Sequence, residues 1–265
     1  MGGSISRSPD SGEHCPALKK MHDLIKADLI VLVSGGSLWV AGAVTLVFTA
    51  LARWVRGVSV SGAVAGAAIC FLLYAGGGPG AFAVLVSVFA LTWISTRFGY
   101  RRKQKLGTAQ SREGRTASQV LANLAASAVC ASFSAVTGKT VFLLATVAAL
   151  AEAAADTVSS ELGQASSEKA RLITSWEEVP AGTDGGVSMA GTGAGIAAAA
   201  LIGIVTLIAG LIPQRWVVIS VAAAVLGMIT DSYLGALLER RKLLNNDWIN
   251  FFGTLVAAGT AMLLA

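Results

Sequence analysis

Apolar runs of membrane-spanning length divide this chain, at roughly residues 29–52, 58–75, 81–98, 117–137, 141–155, 189–212, 216–234 and 249–265. Most approach the ~20 residues that a helix needs to cross ~30 Å of hydrocarbon. The fifth is short and the fourth is half polar. The runs are continuous, whereas the strands of a membrane barrel would alternate over segments of about ten residues. With 54% hydrophobic and 13% charged residues and a mean hydropathy of +0.69, a soluble domain is excluded. The expected fold is an all-α polytopic bundle of about seven to eight transmembrane helices over residues 29–265, behind a polar tail at 1–28. The first run is too long for a signal-peptide core and is expected to stay in the mature protein.

Lys and Arg set the orientation, because cytoplasmic loops carry their excess. The linker at 97–118 holds Arg97, Arg101, Arg102, Lys103, Lys105, Arg112 and Arg115 against one acid, Glu113. It is therefore placed in the cytosol. Alternation puts the motif loops at 156–188 and 231–250 on that same face and leaves short turns, such as Gly76–Gly80, on the other. Eight spans would put the tail outside despite Lys19, Lys20 and Lys26, and a first segment that does not cross removes that conflict. Positive inner loops beside anionic lipid account for the net charge of +5 without nucleic acid.

The three cysteines read as no disulfide framework. Both histidines, His14 and His22, lie in the tail, so a His/Cys zinc site and a histidine-activated serine are excluded. Any metal would be hard and oxygen-bound, which points to Mg²⁺.

Against this apolar background a few polar stations stand out. The stretch AEAAADTVSSELG carries Glu152, Asp156 and Glu161 where a helix should be apolar, and carboxylates in a span usually mark an ion, proton or substrate site. Arg115, Gln119, Asn123 and Ser127 are spaced by four and share a helical face. Gly182, Thr183, Gly185, Gly186 and Ser188 form a glycine-rich loop that opens the sixth span, a geometry suited to phosphate oxygens. Gly138-Lys139-Thr140 resembles the end of a phosphate-binding loop but lacks its first glycine. Asp231 again sits near the inner end of a span, with Gly235 and Glu239 on its face. The pairs Asp156-Thr157 and Asp231-Ser232, each before a polar loop and an apolar helix, hint at an internal duplication.

The ordered series GRTASQVLANLAAS, ADTVSSELG, LITSWEEVPAGTDGGVS, DSYLGALLE and NNDWINFF, with VSVSGAVAGA before them, resembles the integral membrane family of the plant phytyl-phosphate kinase of vitamin E synthesis and the transmembrane-protein-19-like proteins. The resemblance covers about residues 40–265. It implies an enzyme that phosphorylates an isoprenoid monophosphate to the diphosphate with a nucleoside triphosphate, CTP being favoured, and Mg²⁺. Matching motif to motif assigns Arg115, Gln119 and Asn123, then Asp156, Ser160 and Glu161, then Gly182, Thr183, Gly185, Gly186 and Ser188, and finally Asp231, Ser232, Gly235 and Asn250. Tyr233 and Asn246-Asp247-Trp248 depart locally from the pattern.

Both lines converge on phosphoryl transfer at the inner surface of a bacterial plasma membrane. Asp156, Glu161 and Asp231 are expected to hold Mg²⁺, with Arg115 and Lys105 neutralising charge and Phe82, Phe89, Trp93 and Phe133 lining a tail site. Two other readings share parts of the pattern. Acids within helices and a suspected duplication also suit a secondary transporter, and a cytidylyltransferase acting on a lipid phosphate would need the same nucleotide and metal.

Overall fold

The computed structural model describes residues 38–166 and 169–265. The polar tail, the start of the first expected span and both histidines lie outside the described residues. Leu38–Trp54 forms a short apolar helix, α1. Residues Ala41–Ala265 make one compact unit.

Ser59 caps the next helix, accepting from the Gly62 amide at 3.2 Å, and α2 then runs from Val60 to Arg97. A straight helix of this length would separate its ends by roughly 55 Å. Instead the indole of Trp93 and the guanidinium of Arg97 both donate to the Val55 carbonyl, at 3.2 and 2.6 Å, beside the start of α2. The helix therefore folds back on itself. The reversal is at Gly78, whose φ of 61° is open to glycine, followed by Pro79, which cannot supply a helical amide. Tyr74 and Phe82 pack across the bend with ring centroids 6.1 Å apart.

A seven-residue helix, α3 (Tyr100–Leu106), crosses the basic linker. The next helix, α4 (Ala117–Thr137), opens with a capping box between Thr116 and Gln119. Then comes α5 (Thr140–Ala165), the hub of the bundle, which packs against α2, α4 and each later long helix. Its middle is almost all alanine, and small side chains let neighbouring backbones approach closely. The sequence ends this helix near Ala155, but it continues for ten more residues. The polar side chains at Asp156, Ser160 and Glu161 face a cavity rather than terminate the helix.

Beyond α5 the expected loop contains a small antiparallel sheet in the order β2-β1-β3, made of β1 (Ala170–Leu172), β2 (Glu178–Val179) and β3 (Gly186–Val187). It leads into α6 (Met189–Ile208), capped by Ser188. Helix α7 (Gln214–Leu234) runs on into a π-helical turn at Gly235–Glu239, and α8 (Asn246–Leu263) closes the bundle.

The chain is an all-α polytopic membrane protein, and its helices place it in a lipid bilayer. Among the described residues five helices are long and apolar enough to cross, and α1 is a shorter sixth, rather than the seven to eight expected. Two of the expected spans are the two arms of α2. Burial explains why propensity and amphipathicity are weak guides here, since a helix that is apolar all round belongs inside a bundle or in lipid.

Candidate functional site

Two cavities open in the half of the bundle that carries the motif loops. One, of about 230 Å³, is polar and lies among α4, α5, α7, α8 and the glycine-rich loop. The other, of about 400 Å³, is mainly apolar and lies between α1, both arms of α2, and α4. Gln110, Arg115, Gln119, Asn123 and Thr157 line both, so the two chambers share a wall.

Arg115 is placed by its backbone. Its amide donates to the Gly57 carbonyl at 3.1 Å, and its carbonyl accepts from Ser59 at 2.9 Å. A Cβ at Gly62 would stand 2.1 Å from that carbonyl oxygen, so this approach requires glycine. The VSVSG motif thus holds Arg115 at the junction. Burial pushes the Arg115 guanidinium below its ordinary range, and Glu161 and Asp156 push it back up. It forms no ion pair among the described residues, and a guanidinium keeps its charge in any case.

Gln119 exchanges amide hydrogen bonds with Gln110 at 3.1 and 3.2 Å. Asn123 donates to the Gln119 carbonyl at 2.9 Å. Ser127, the fourth residue of that row, is instead fully buried, and its carbonyl accepts from Thr146 of α5.

Asp156 and Asp231, from α5 and α7, line the same polar cavity, as do Ser160, Ser232 and the buried Asn250. Asp231 Oδ2 is buried and has no hydrogen-bond partner among the described residues. Glu161 also lines the cavity, but both its oxygens are engaged. Lys103 Nζ lies 2.5 Å from Oε2, and Thr96 donates to Oε1 at 3.0 Å. Each oxygen thus accepts one hydrogen bond and keeps a second lone pair for another partner.

Lys105 is exposed on α3 and lines neither cavity. The buried lysine of that run is Lys103, which also donates to the carbonyls of Ser95 and Thr96 at 3.0 and 2.8 Å. A run of basic residues does not reveal which one turns inward. That choice is made by Gly99, whose φ of 63° aims α3 back across the end of α2.

Gly182, Thr183, Gly185, Gly186 and Ser188 all border the polar cavity. Gly185 has a φ of 72°, and an added Cβ would stand 2.4 Å from the Ala236 amide nitrogen. The loop is therefore docked against the π turn. Ser188 is occupied as the cap of α6, accepting from Gly191 at 3.1 Å. The π turn in turn helps to bring Glu239 to the cavity, and the loop adds Asp184. Periodicity of 3.6 cannot find an i→i+5 turn, although such turns are frequent at functional sites.

Of the expected tail residues, Phe89 and Trp93 line the apolar chamber, and Arg97 stacks over Trp93 at 4.0 Å. Phe82 packs against Phe48 in the neighbouring core. Phe133 is half exposed and stacks on Phe142, away from the chamber.

The polar chamber thus brings Asp156, Asp184, Asp231 and Glu239 into one lining with Arg115, whose cation has no ion pair among the described residues. A phosphate group alone would meet net repulsion there, and a divalent cation would reverse it. No three acidic, histidine or cysteine side chains among the described residues form a metal cage by themselves.

A polytopic membrane protein with paired apolar and acidic chambers is the class defined by this fold. The chain belongs to the DUF92 family of integral membrane proteins, whose model matches residues 43–258. It is 36% identical over 182 residues to an uncharacterised membrane protein of Methanocaldococcus jannaschii, covering 68% of this chain and 74% of that one. It is 31% identical to an uncharacterised membrane protein of Synechocystis, covering 68% and 72%. It is also 29% identical over 219 residues to the chloroplast protein VTE6 of Arabidopsis thaliana, covering 79% of this chain and 66% of that one. No solved structure matches it.

Proposed function

We propose that the protein is an isoprenoid-monophosphate kinase, which moves the terminal phosphoryl group of a nucleoside triphosphate, CTP being favoured, onto a lipid monophosphate. The observation that carries this reading is the shared wall. An apolar chamber meets an acid-lined polar chamber at Arg115, Gln119 and Asn123, which is what a molecule with a greasy tail and a phosphate head requires. Similarity to VTE6, which the family resemblance ties to phytyl-phosphate kinase, supports the same substrate class.

In this reading the isoprenoid tail lies along Phe89 and Trp93, and its phosphate meets Arg115. The glycine-rich loop would border the triphosphate, and Asp156 and Asp231 would hold Mg²⁺. The metal would supply charge neutralisation between the phosphates. An acceptor oxygen forms a bond to the terminal phosphorus as the bond to the leaving nucleoside diphosphate breaks. The acceptor is already anionic, so no strong base is needed, and positioning with electrostatic stabilisation carries the rate. The basic linker at 97–118 supports a site on the cytosolic face of the plasma membrane.

The test is turnover by purified protein with Mg²⁺, using prenyl monophosphates of several lengths and CTP labelled in either the α or the γ phosphate. The expected products are the prenyl diphosphate carrying the γ label and CDP. Transfer of the α label into lipid with release of pyrophosphate would indicate a cytidylyltransferase, and no consumption of any nucleotide would remove the kinase reading in favour of a transporter.

A second prediction concerns the tail chamber. Gly66 lines it, and a Cβ there meets nothing within 4 Å. Gly66→Phe should fill the chamber with little loss of stability and raise KM for long prenyl phosphates by about tenfold or more, while short ones change less. Equal effects on all chain lengths would place the tail elsewhere.

A further inference from the structure

Glu152 lies one helical turn deeper in α5 than Asp156 and lines neither cavity. It is 1% exposed, and its Oε1 has no hydrogen-bond partner among the described residues. Asp231 Oδ2 on α7 is likewise buried and without a partner. Both oxygens converge on Gly253 of α8. A Cβ added there would stand 2.6 Å from Glu152 Oε1 and 3.0 Å from Asp231 Oδ2, so their separation cannot exceed the sum of those distances. Gly227 of α7 clears the other side, because its Cβ would stand 2.6 Å from Glu152 Cγ and 2.8 Å from the Gly253 carbonyl oxygen. Two glycines on two helices thus let their backbones close on a pair of carboxylate oxygens that have no hydrogen-bond partner among the described residues.

Two such oxygens facing each other in the interior are strongly unfavourable without a partner, because each forfeits its hydration and they repel. A hard cation that bonds oxygen at about 2.0–2.6 Å would satisfy both. We propose that Glu152 and Asp231 hold a divalent cation directly beneath the polar cavity, with Asp231 shared between this buried site and the chamber above. Glu152 is then a metal ligand contributed by none of the motifs. The inference rests on reading the polar chamber as metal-binding and is independent of phosphoryl transfer.

Mn²⁺ is the probe, titrated into the purified full chain without nucleotide or lipid and followed by electron paramagnetic resonance and thermal unfolding. The wild type should bind Mn²⁺ and be stabilised by it. Glu152→Gln should weaken binding at least tenfold and lose most of the stabilisation. Gly253→Ala, whose methyl group enters the cradle, should also weaken it, and Glu152→Asp should fall between. Should Glu152→Gln not accumulate as folded protein, Gly253→Ala and Glu152→Asp carry the comparison. Mn²⁺ affinity unchanged in these variants overturns the proposal. So does Glu152→Gln raising the unfolding temperature with the Mn²⁺ response intact, the result expected if the two acids merely share a proton. Unchanged Mn²⁺ affinity in these variants alongside prenyl-phosphate turnover by the wild type separates failure of this site from failure of the kinase reading.

Discussion

Asp156→Asn and Asp231→Asn should each lower phosphoryl transfer by about a thousandfold or more, equivalent to about 4 kcal/mol of transition-state stabilisation. Both carboxylates border the polar chamber, and neither is paired with a cation within 4 Å among the described residues. Their charge is therefore available to a metal and its phosphates. Asparagine keeps the shape and removes the charge. At Asp231, whose Oδ2 is sealed from solvent without a partner among the described residues, removing charge should leave the metal-free protein as stable as before or more so. The expected pattern is turnover lost, unfolding temperature in EDTA held or raised, and stabilisation by Mg²⁺ lost. Turnover within tenfold of wild type in both variants would take the metal away from these residues.

The stations that sequence made legible were those whose cost in an apolar setting marks them. Asp156 and Asp231 are 75 positions apart in the chain, yet helical arithmetic and the one-sided polar loops put both near the inner surface, and they meet in one cavity. The glycine-rich loop likewise reaches that cavity, although Gly185 serves the loop's docking on Ala236 as much as any ligand. What sequence could not supply was orientation within short or irregular pieces. Helix α3 has too few residues to show a face, so Lys105 and Lys103 look alike until Gly99 turns the chain. The reach of α5 was hidden because polar residues at the end of an apolar run read as an exit from the membrane. They instead line the polar cavity. Phe82, Phe89, Trp93 and Phe133 are equally aromatic, and only the fold-back at Gly78 decides that two of the four line the chamber.

Lys103→Met should destabilise the protein by about 3–5 kcal/mol, the cost of removing one partner from a buried ion pair. The lysine is fully buried and donates to three acceptors, Glu161 and the carbonyls of Ser95 and Thr96. Those carbonyls belong to the last turn of α2, where four C=O groups lack helical partners and the helix dipole favours a cation. Methionine of similar length would fill the space but leave Glu161 and both carbonyls without their donor. The unfolding temperature in detergent should fall by roughly 6–20 °C, taking about 2–4 °C per kcal/mol for a chain of this size. Lys105→Met, on the exposed side of the same helix, should change it by little. Adding Glu161→Leu to Lys103→Met should recover part of the loss, since an apolar pair is often no less stable than a buried ionic one. If the two lysine variants unfold alike, the Lys103–Glu161 pair is not what fixes α3 against the end of α2. Because Glu161 shares the polar chamber with Asp156, freeing it should also weaken Mg²⁺-dependent turnover beyond the loss of folded protein, a difference visible when rates are normalised to the folded fraction.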